Sequence, residues 1–205
     1  MPRHVDRSER RTAVGHALMR IVARDGMEAV SVRSVAAEAG MSVGAVQRYF
    51  AGKDEMLRFA LHVAVDAAAA RLSEVRIGPG GLSFAEGLRQ ALLTFLPTPE
   101  TLAEARILAA FEARAVVDAD FAAVLAELDD EARRNVRRAL DYASSTGELA
   151  PGQDLEALTH LVLLLMDGVL WYGLRSSASG REGLTAAVDA VVALVTGGPA
   201  RTAAR

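Results

Sequence analysis

VSVRSVAAEAGMSVGAVQRYFAGKDEML, residues 30–57, decides the fold. Ser31 stands where a helix N-cap accepts a backbone N–H, and Val32, Val35, Ala36 and Ala39 follow at i, i+3, i+4 and i+7, along one helix face. Gly40 stops that helix. Ser42 caps the next one, with Val43, Val46 and Phe50 expected inward, and Gly52 ends it before Lys53-Asp54-Glu55 opens another. Two short helices joined by a glycine-containing turn make a helix-turn-helix over residues 31–50, whose second helix fits a DNA major groove about 12 Å wide. Its inward positions must be apolar for rigid packing. Its outward positions, Gly44, Ala45, Gln47, Arg48 and Tyr49, are small or hydrogen-bonding, as contact with base edges and phosphates requires.

Outward from this stretch the chain reads as helix almost throughout. Ala, Leu, Arg and Glu dominate and no alternating β-branched run appears, so the fold expected is all-α with about nine helices. The first helix spans Ser8 to Arg24, with Val14, Leu18, Ile21 and Val22 on one face and Asp25-Gly26 as its stop. The fourth runs from Lys53 to about Val75. RIGPGGLS, residues 76–83, holds one proline and three glycines and reads as a hinge. Beyond it helices are expected at 84–96, 99–117, 119–146, 154–175 and 181–196. This gives a three-helix DNA-binding domain at residues 8–68 and a larger helical ligand-binding and dimerisation domain at 76–197. Residues 1–7 and 198–205 are expected to be flexible. Arg3, Arg7, Arg10 and Arg11 read either as an arm reaching phosphates or the minor groove or as a disordered tail.

Composition narrows the function classes. The chain has 205 residues, enough to bury a core, and no cysteine, which excludes disulfides, thiolate metal sites and cysteine nucleophiles. The N-terminal stretch MPRHVDRSERRTAVGHALMR has no continuous apolar run and does not read as a secretory signal, so a cytoplasmic protein is expected. The most apolar segment, residues 157–174, is interrupted by His160 and Asp167 and reads as a buried or subunit-interface helix, with no membrane partner. Net charge is −3, but residues 1–60 hold 10 basic against 7 acidic side chains, a balance of +3, leaving −6 for the remainder. A basic front on an acidic body suits a polyanion partner for the front alone. The arginines of DDEARRNVRRALD, residues 129–141, form a second cluster, yet Asp129/Arg133, Asp130/Arg134 and Arg137/Asp141 are spaced i, i+4 as solvated ion pairs.

Residues 8–68 resemble the DNA-binding domain of the tetracycline-repressor (TetR) family of bacterial regulators. The residues that carry the likeness are the apolar first helix ending in Asp25-Gly26, then SVRSVAAEAGMSVGAVQRYF and GKDEML. The resemblance implies that Lys53, the chain's one lysine, meets an operator phosphate from the start of the fourth helix, and that Arg33 lies near DNA. The DNA-binding set is therefore Arg33, Ser42, Val43, Gly44, Ala45, Gln47, Arg48, Tyr49 and Lys53. Many family members carry tyrosine where this chain has Gln47, and glutamine pairs bidentately with adenine N6/N7, so operator preference should diverge there.

His4, His16, His62 and His160 are scattered, and no HExxH, GxSxG or phosphate-cradling glycine loop occurs, so neither catalysis, a metal nor a cofactor is expected. The C-terminal helices should enclose a small-molecule effector, as the family's do, and Phe95, Phe111, Phe121, Trp171 and Tyr172 are the aromatics suited to line its cavity. Dimerisation should fall to the last two helices, with Val188, Val191, Val192 and Val195 as a stripe on the second. The function expected is a homodimeric repressor released from a near-palindromic double-stranded operator by its effector. The competing reading, a helical ligand-binding or interaction module without DNA binding, predicts no salt-dependent association with duplex DNA.

Overall fold

Helix boundaries follow the caps. The structure, a computed structural model, describes residues 7–198, and among them nine α-helices and one 3₁₀ turn are found and no strand. They are α1 (Arg7–Asp25), the 3₁₀ turn (Met27–Ala29), α2 (Val32–Glu38), α3 (Val43–Gln47), α4 (Lys53–Ser73), α5 (Phe84–Thr94), α6 (Leu102–Ala115), α7 (Ala119–Ser145), α8 (Leu155–Arg175) and α9 (Ala178–Thr196). Of the ends expected to be flexible, only Arg7 and Gly198 fall among the described residues; Arg3 lies outside them. Ser31 and Ser34 form a reciprocal capping box on α2, Ser83 and Glu86 another on α5, and the Asp154 carboxylate accepts the first amides of α8.

By packing, the chain divides into two units. The first holds residues up to Ala67 together with Thr98–Phe121; the second holds Ala68–Pro97 and everything from Ala122 onward. In the first, Val14, Leu18, Ile21 and Val22 of α1 are buried with Val35, Ala36, Val46, Phe50, Met56 and Leu61. Helix α6, which follows α5 in sequence, packs on α1 and belongs here. Arg106 on α6 donates to the carbonyls of Val22 (3.0 Å), which also accepts the Gly26 amide (3.1 Å), and Ala23 (2.8 Å), both in the last turn of α1.

The turn between α2 and α3 is set by Gly40, at φ +64. Met41 N–H reaches back to the Ala36 carbonyl (2.8 Å) and Gly40 N–H to that of Ala37 (3.2 Å), the pair of bonds that closes a helix on a left-handed residue. Helix α2 is also held to α1 by charge, for Arg20 (2.7 Å) and Arg24 (3.2 Å) both engage the Glu38 carboxylate. The Arg20 hydrogen bond, and after it that of Arg24, keeps Glu38 below the usual carboxylate range.

In the second unit Phe84, Leu88 and Leu92 of α5 meet Leu140 and Ala143 of α7, Leu158, Val162 and Val169 of α8, and Val188, Val192 and Val195 of α9. Arg89 and Asp189 pair across α5 and α9. The α9 valine stripe expected at a subunit seam is thus largely core of its own chain, because α9 packs on α5 and α8; the face it leaves exposed carries Ala187, Ala190 and Leu194. Helix α8 is long and apolar enough, by length and composition, to cross a bilayer, but Leu158, Val162, Val169 and Leu170 are buried in this bundle.

The 76–83 stretch, expected as a hinge, is a closed turn inside the second unit. Gly78 N–H bonds to Leu82 O (3.0 Å) and Leu82 N–H to Arg76 O (2.8 Å), and a Cβ on Gly81 would run into the Arg76 carbonyl. Its glycines serve tightness rather than mobility. In the α7 arginine cluster, Arg137 pairs with Asp141 (3.0 Å) as spaced, while Arg133 turns to α8, reaching Glu156 (3.4 Å) and His160 (3.1 Å).

Gly40→Ala should lower the unfolding free energy by about 1 kcal/mol with an unchanged denaturant m-value, since alanine resists the left-handed region. Glu38→Gln should destabilise at neutral pH only. A carboxyl whose folded pKa is lowered contributes stability above its unfolded pKa, about 4.3, and loses it as pH falls through the folded value. Thermal melts of wild type and variant should therefore converge in acid.

Candidate nucleic-acid interface

Helix α3 is short, and its direction is fixed at both ends. At the start, Ser42 Oγ accepts the Ala45 amide (3.1 Å). At the end, Val46 and Phe50 are fully buried, and the Phe50 ring meets that of Phe59 on α4 edge-on at 5.5 Å. The helix stops three residues before Phe50, where Tyr49 N–H bonds to the Val46 carbonyl three residues back. Gly44, Gln47 and Arg48 face outward and Ala45 and Tyr49 are half-buried. A Cβ on Gly44 would meet only open space, so close approach of another molecule, rather than crowding within the protein, is what its missing side chain permits. Val43 departs from the inward trio expected for it. It is 39 % exposed, at the first position of α3, directly after the exposed cap Ser42.

Lys53 is the first residue of α4 and is exposed. A cation there opposes the helix dipole, and the acids that follow it offset the cost. Glu55 accepts the Ala51 amide (2.7 Å) and lies 3.6 Å from Arg11, tying down the turn that leads into α4. Asp54 lies 3.6 Å from Arg114 of α6.

The basic side chains of this unit sort into two groups. Arg11 sits over the rings of Phe50 (4.8 Å) and Phe59 (5.2 Å), Arg20 and Arg24 hold Glu38, Arg106 caps α1, Arg58 lies over Phe121, and Arg114 faces Asp54 and Asp118. Against these, Arg33 in the first turn of α2, Arg48 and Lys53 are exposed and make no hydrogen bond or ion pair among the described residues. These three unpaired cations lie on α2, just after α3 and at the start of α4; Arg10 of α1, half-buried, is likewise without a partner among the described residues. Arg11 is not part of a free arm. Its spacing of i, i+3 and i+7 with Val14 and Leu18 was the signal, since it places the side chain on the inward stripe of α1.

The five aromatics offered for an effector cavity divide between the two units. Phe111 and Phe121 are buried in the first unit with ring centroids 4.5 Å apart. Phe95, Trp171 and Tyr172 belong to the second unit. There Phe95 packs half-buried on the core, Trp171 is half-buried, and Tyr172, 55 % exposed, borders a surface depression of about 320 Å³ with Arg175, Ser176, Ser177 and Gly180.

Residues 16–59 match the family model described as bacterial regulatory proteins, tetR family, and residues 84–197 match that of BetI-type transcriptional repressors, C-terminal. The HTH-type transcriptional regulator PksA of Bacillus subtilis is 29 % identical over 170 residues, 82 % of this chain and 80 % of that one. A transcriptional regulator from Rhodococcus sp. Rha1 is 33 % identical, with 90 % of this chain and 95 % of that chain covered at a TM-score of 0.77. The ketosteroid transcriptional regulator KstR2 of Mycobacterium tuberculosis, 20 % identical over 91 % of this chain and 95 % of its own with a TM-score of 0.63, shares the fold.

Lys53→Ala should weaken binding to every duplex about equally and reduce the slope of log affinity against log salt by about one. Gln47→Ala should instead relax preference at one base pair, by about 1 to 3 kcal/mol. Fluorescence anisotropy with labelled duplexes across a salt series distinguishes the two.

Proposed function

Because the chain belongs to the TetR family of bacterial transcriptional regulators, a family of DNA-binding transcription factors and not enzymes, we propose that it is a homodimeric repressor released from a near-palindromic operator by a small-molecule effector. The observation that carries the DNA half of this reading is the outward face of α3 with uncommitted Arg33, Arg48 and Lys53 around it. Residues 8–68 read the operator in the cytoplasm, where its DNA is. Arg48 and Lys53 hold phosphates, and Gln47 with Gly44 and Ala45 approaches base edges. Residues 76–197 take the effector and the second subunit.

The dimer half rests on α8 and α9. On α8, Ala157, Leu161, Leu164, Gly168 and Tyr172 are exposed at helical spacing; on α9, Gly183, Ala187, Ala190 and Leu194 repeat the pattern. Leu164 at 68 % and Leu194 at 73 % exposure are costly to leave in water, and the small residues beside them let helices approach closely. Packed about a two-fold axis, the four helices of two subunits cover both stripes. Two recognition helices then enter successive major grooves on one side of the duplex. An effector that binds better to a state of different half-site spacing releases the DNA, and about 1.4 kcal/mol of such preference changes operator affinity tenfold.

The test is a single charge in the seam. Leu164→Glu or Leu194→Glu should convert the protein from dimer to monomer in sedimentation velocity, with helical content retained. Affinity for a duplex recovered from a random-sequence library by the wild-type protein should fall at least tenfold, because one half-site then binds alone. A wild-type protein that sediments as a monomer, or that recovers no duplex, would overturn the proposal.

A further inference from the structure

The first turn of α4 is tied to α6 and α7 by one guanidinium. Arg114, in the last turn of α6, donates from Nε to Asp118 (3.2 Å), and its Nη2 lies 3.6 Å from the Asp54 carboxylate. Asp118 accepts the Asp120 amide (3.1 Å) and so also caps α7. The Phe121 ring, fully buried, takes Arg114 at 5.3 Å and Arg58, one turn beyond Asp54 on α4, at 4.9 Å. An isolated surface ion pair stabilises little, but a guanidinium already fixed by a carboxylate and a ring has lost its side-chain freedom before it meets the second carboxylate. Asp54 adjoins Lys53, about 100° around the helix, so whatever fixes Asp54 fixes the azimuth at which Lys53 leaves α4.

We propose that Arg114 is a positioning residue for the DNA contact: through Asp54 it sets where the Lys53 ammonium stands, and it thereby makes operator affinity sensitive to how the α6–α7 corner is held. This rests on the reading of Lys53 as a phosphate contact. The alternative route, loss of a nearby positive charge acting on the DNA through space, would operate whether or not Lys53 is present, which separates the two.

The experiment is a double-mutant cycle on affinity for the library-selected duplex, measured across a salt series. Arg114→Gln should weaken binding about threefold and shift the salt slope toward that of Lys53→Ala, whereas in the Lys53→Ala background it should cost nothing further. Arg114→Lys, which keeps the charge, should recover most of the loss, and Asp54→Asn should reproduce it from the other side with an unaltered α6. Equal losses in both backgrounds, or no loss from Arg114→Gln and Asp54→Asn, would sink the inference while leaving operator binding intact. If Lys53→Ala itself changes neither affinity nor slope, the phosphate role fails and this inference fails with it.

Discussion

Gly40 is the residue on which the DNA-reading unit turns. Its left-handed conformation lets the Met41 amide reach the Ala36 carbonyl, and that bond determines where the chain can begin α3. Ser42 then starts the helix at once, Val46 and Phe50 face the core, and Gly44, Gln47 and Arg48 are left facing out. A β-branched or longer residue at Gly40 would change the angle between α2 and α3, and every outward side chain would move with it. The pairing of Glu38 with Arg20 and Arg24 fixes α2 on α1, so the turn has a stationary side from which to aim α3.

What was legible in the sequence was what is decided locally. Ser31 and Ser42 announce helix starts because a cap is satisfied by an amide three residues away, and the structure uses both of them so. Val46 and Phe50 were legible as core because helical spacing alone puts them on one face. Val188, Val192 and Val195 were equally legible as an apolar stripe, but not what they pack against. Whether a stripe meets its own chain or a second one depends on which helices meet, and spacing carries no such information. The same holds for Arg11, Arg106 and Arg114, whose partners on distant segments, Phe50, Val22 and Asp54, lie 39, 84 and 60 residues away in sequence. The glycines of 76–83 gave a third kind of difficulty, since flexibility and tight closure ask for the same residue.

Helix α6 shows how sequence segments and packing units part company. It lies inside the segment that matches the C-terminal repressor model, yet it packs on α1 and groups with the reading unit. Arg106 near its middle and Arg114 at its end each fix a different helix of that unit, the end of α1 and the start of α4. A rigid helix held at two points, about 12 Å apart along its axis at 1.5 Å per residue, transmits rotation as well as translation. The chain thus returns to its first unit after leaving it, and the start of α4 is set from a part of the sequence far downstream of the helix-turn-helix.

The choice of lysine at the start of α4, in a chain that uses arginine everywhere else, leaves the protein with a single ε-amine. Guanidinium groups do not react with mild acylating reagents at neutral pH, so the side-chain amine chemistry of the entire protomer is concentrated at one exposed atom, Nζ of Lys53. Acylation there removes one positive charge and no other, and any duplex that covers the start of α4 shields the same atom. Occupancy of this corner by DNA is therefore convertible into the yield of one chemical reaction at one side chain.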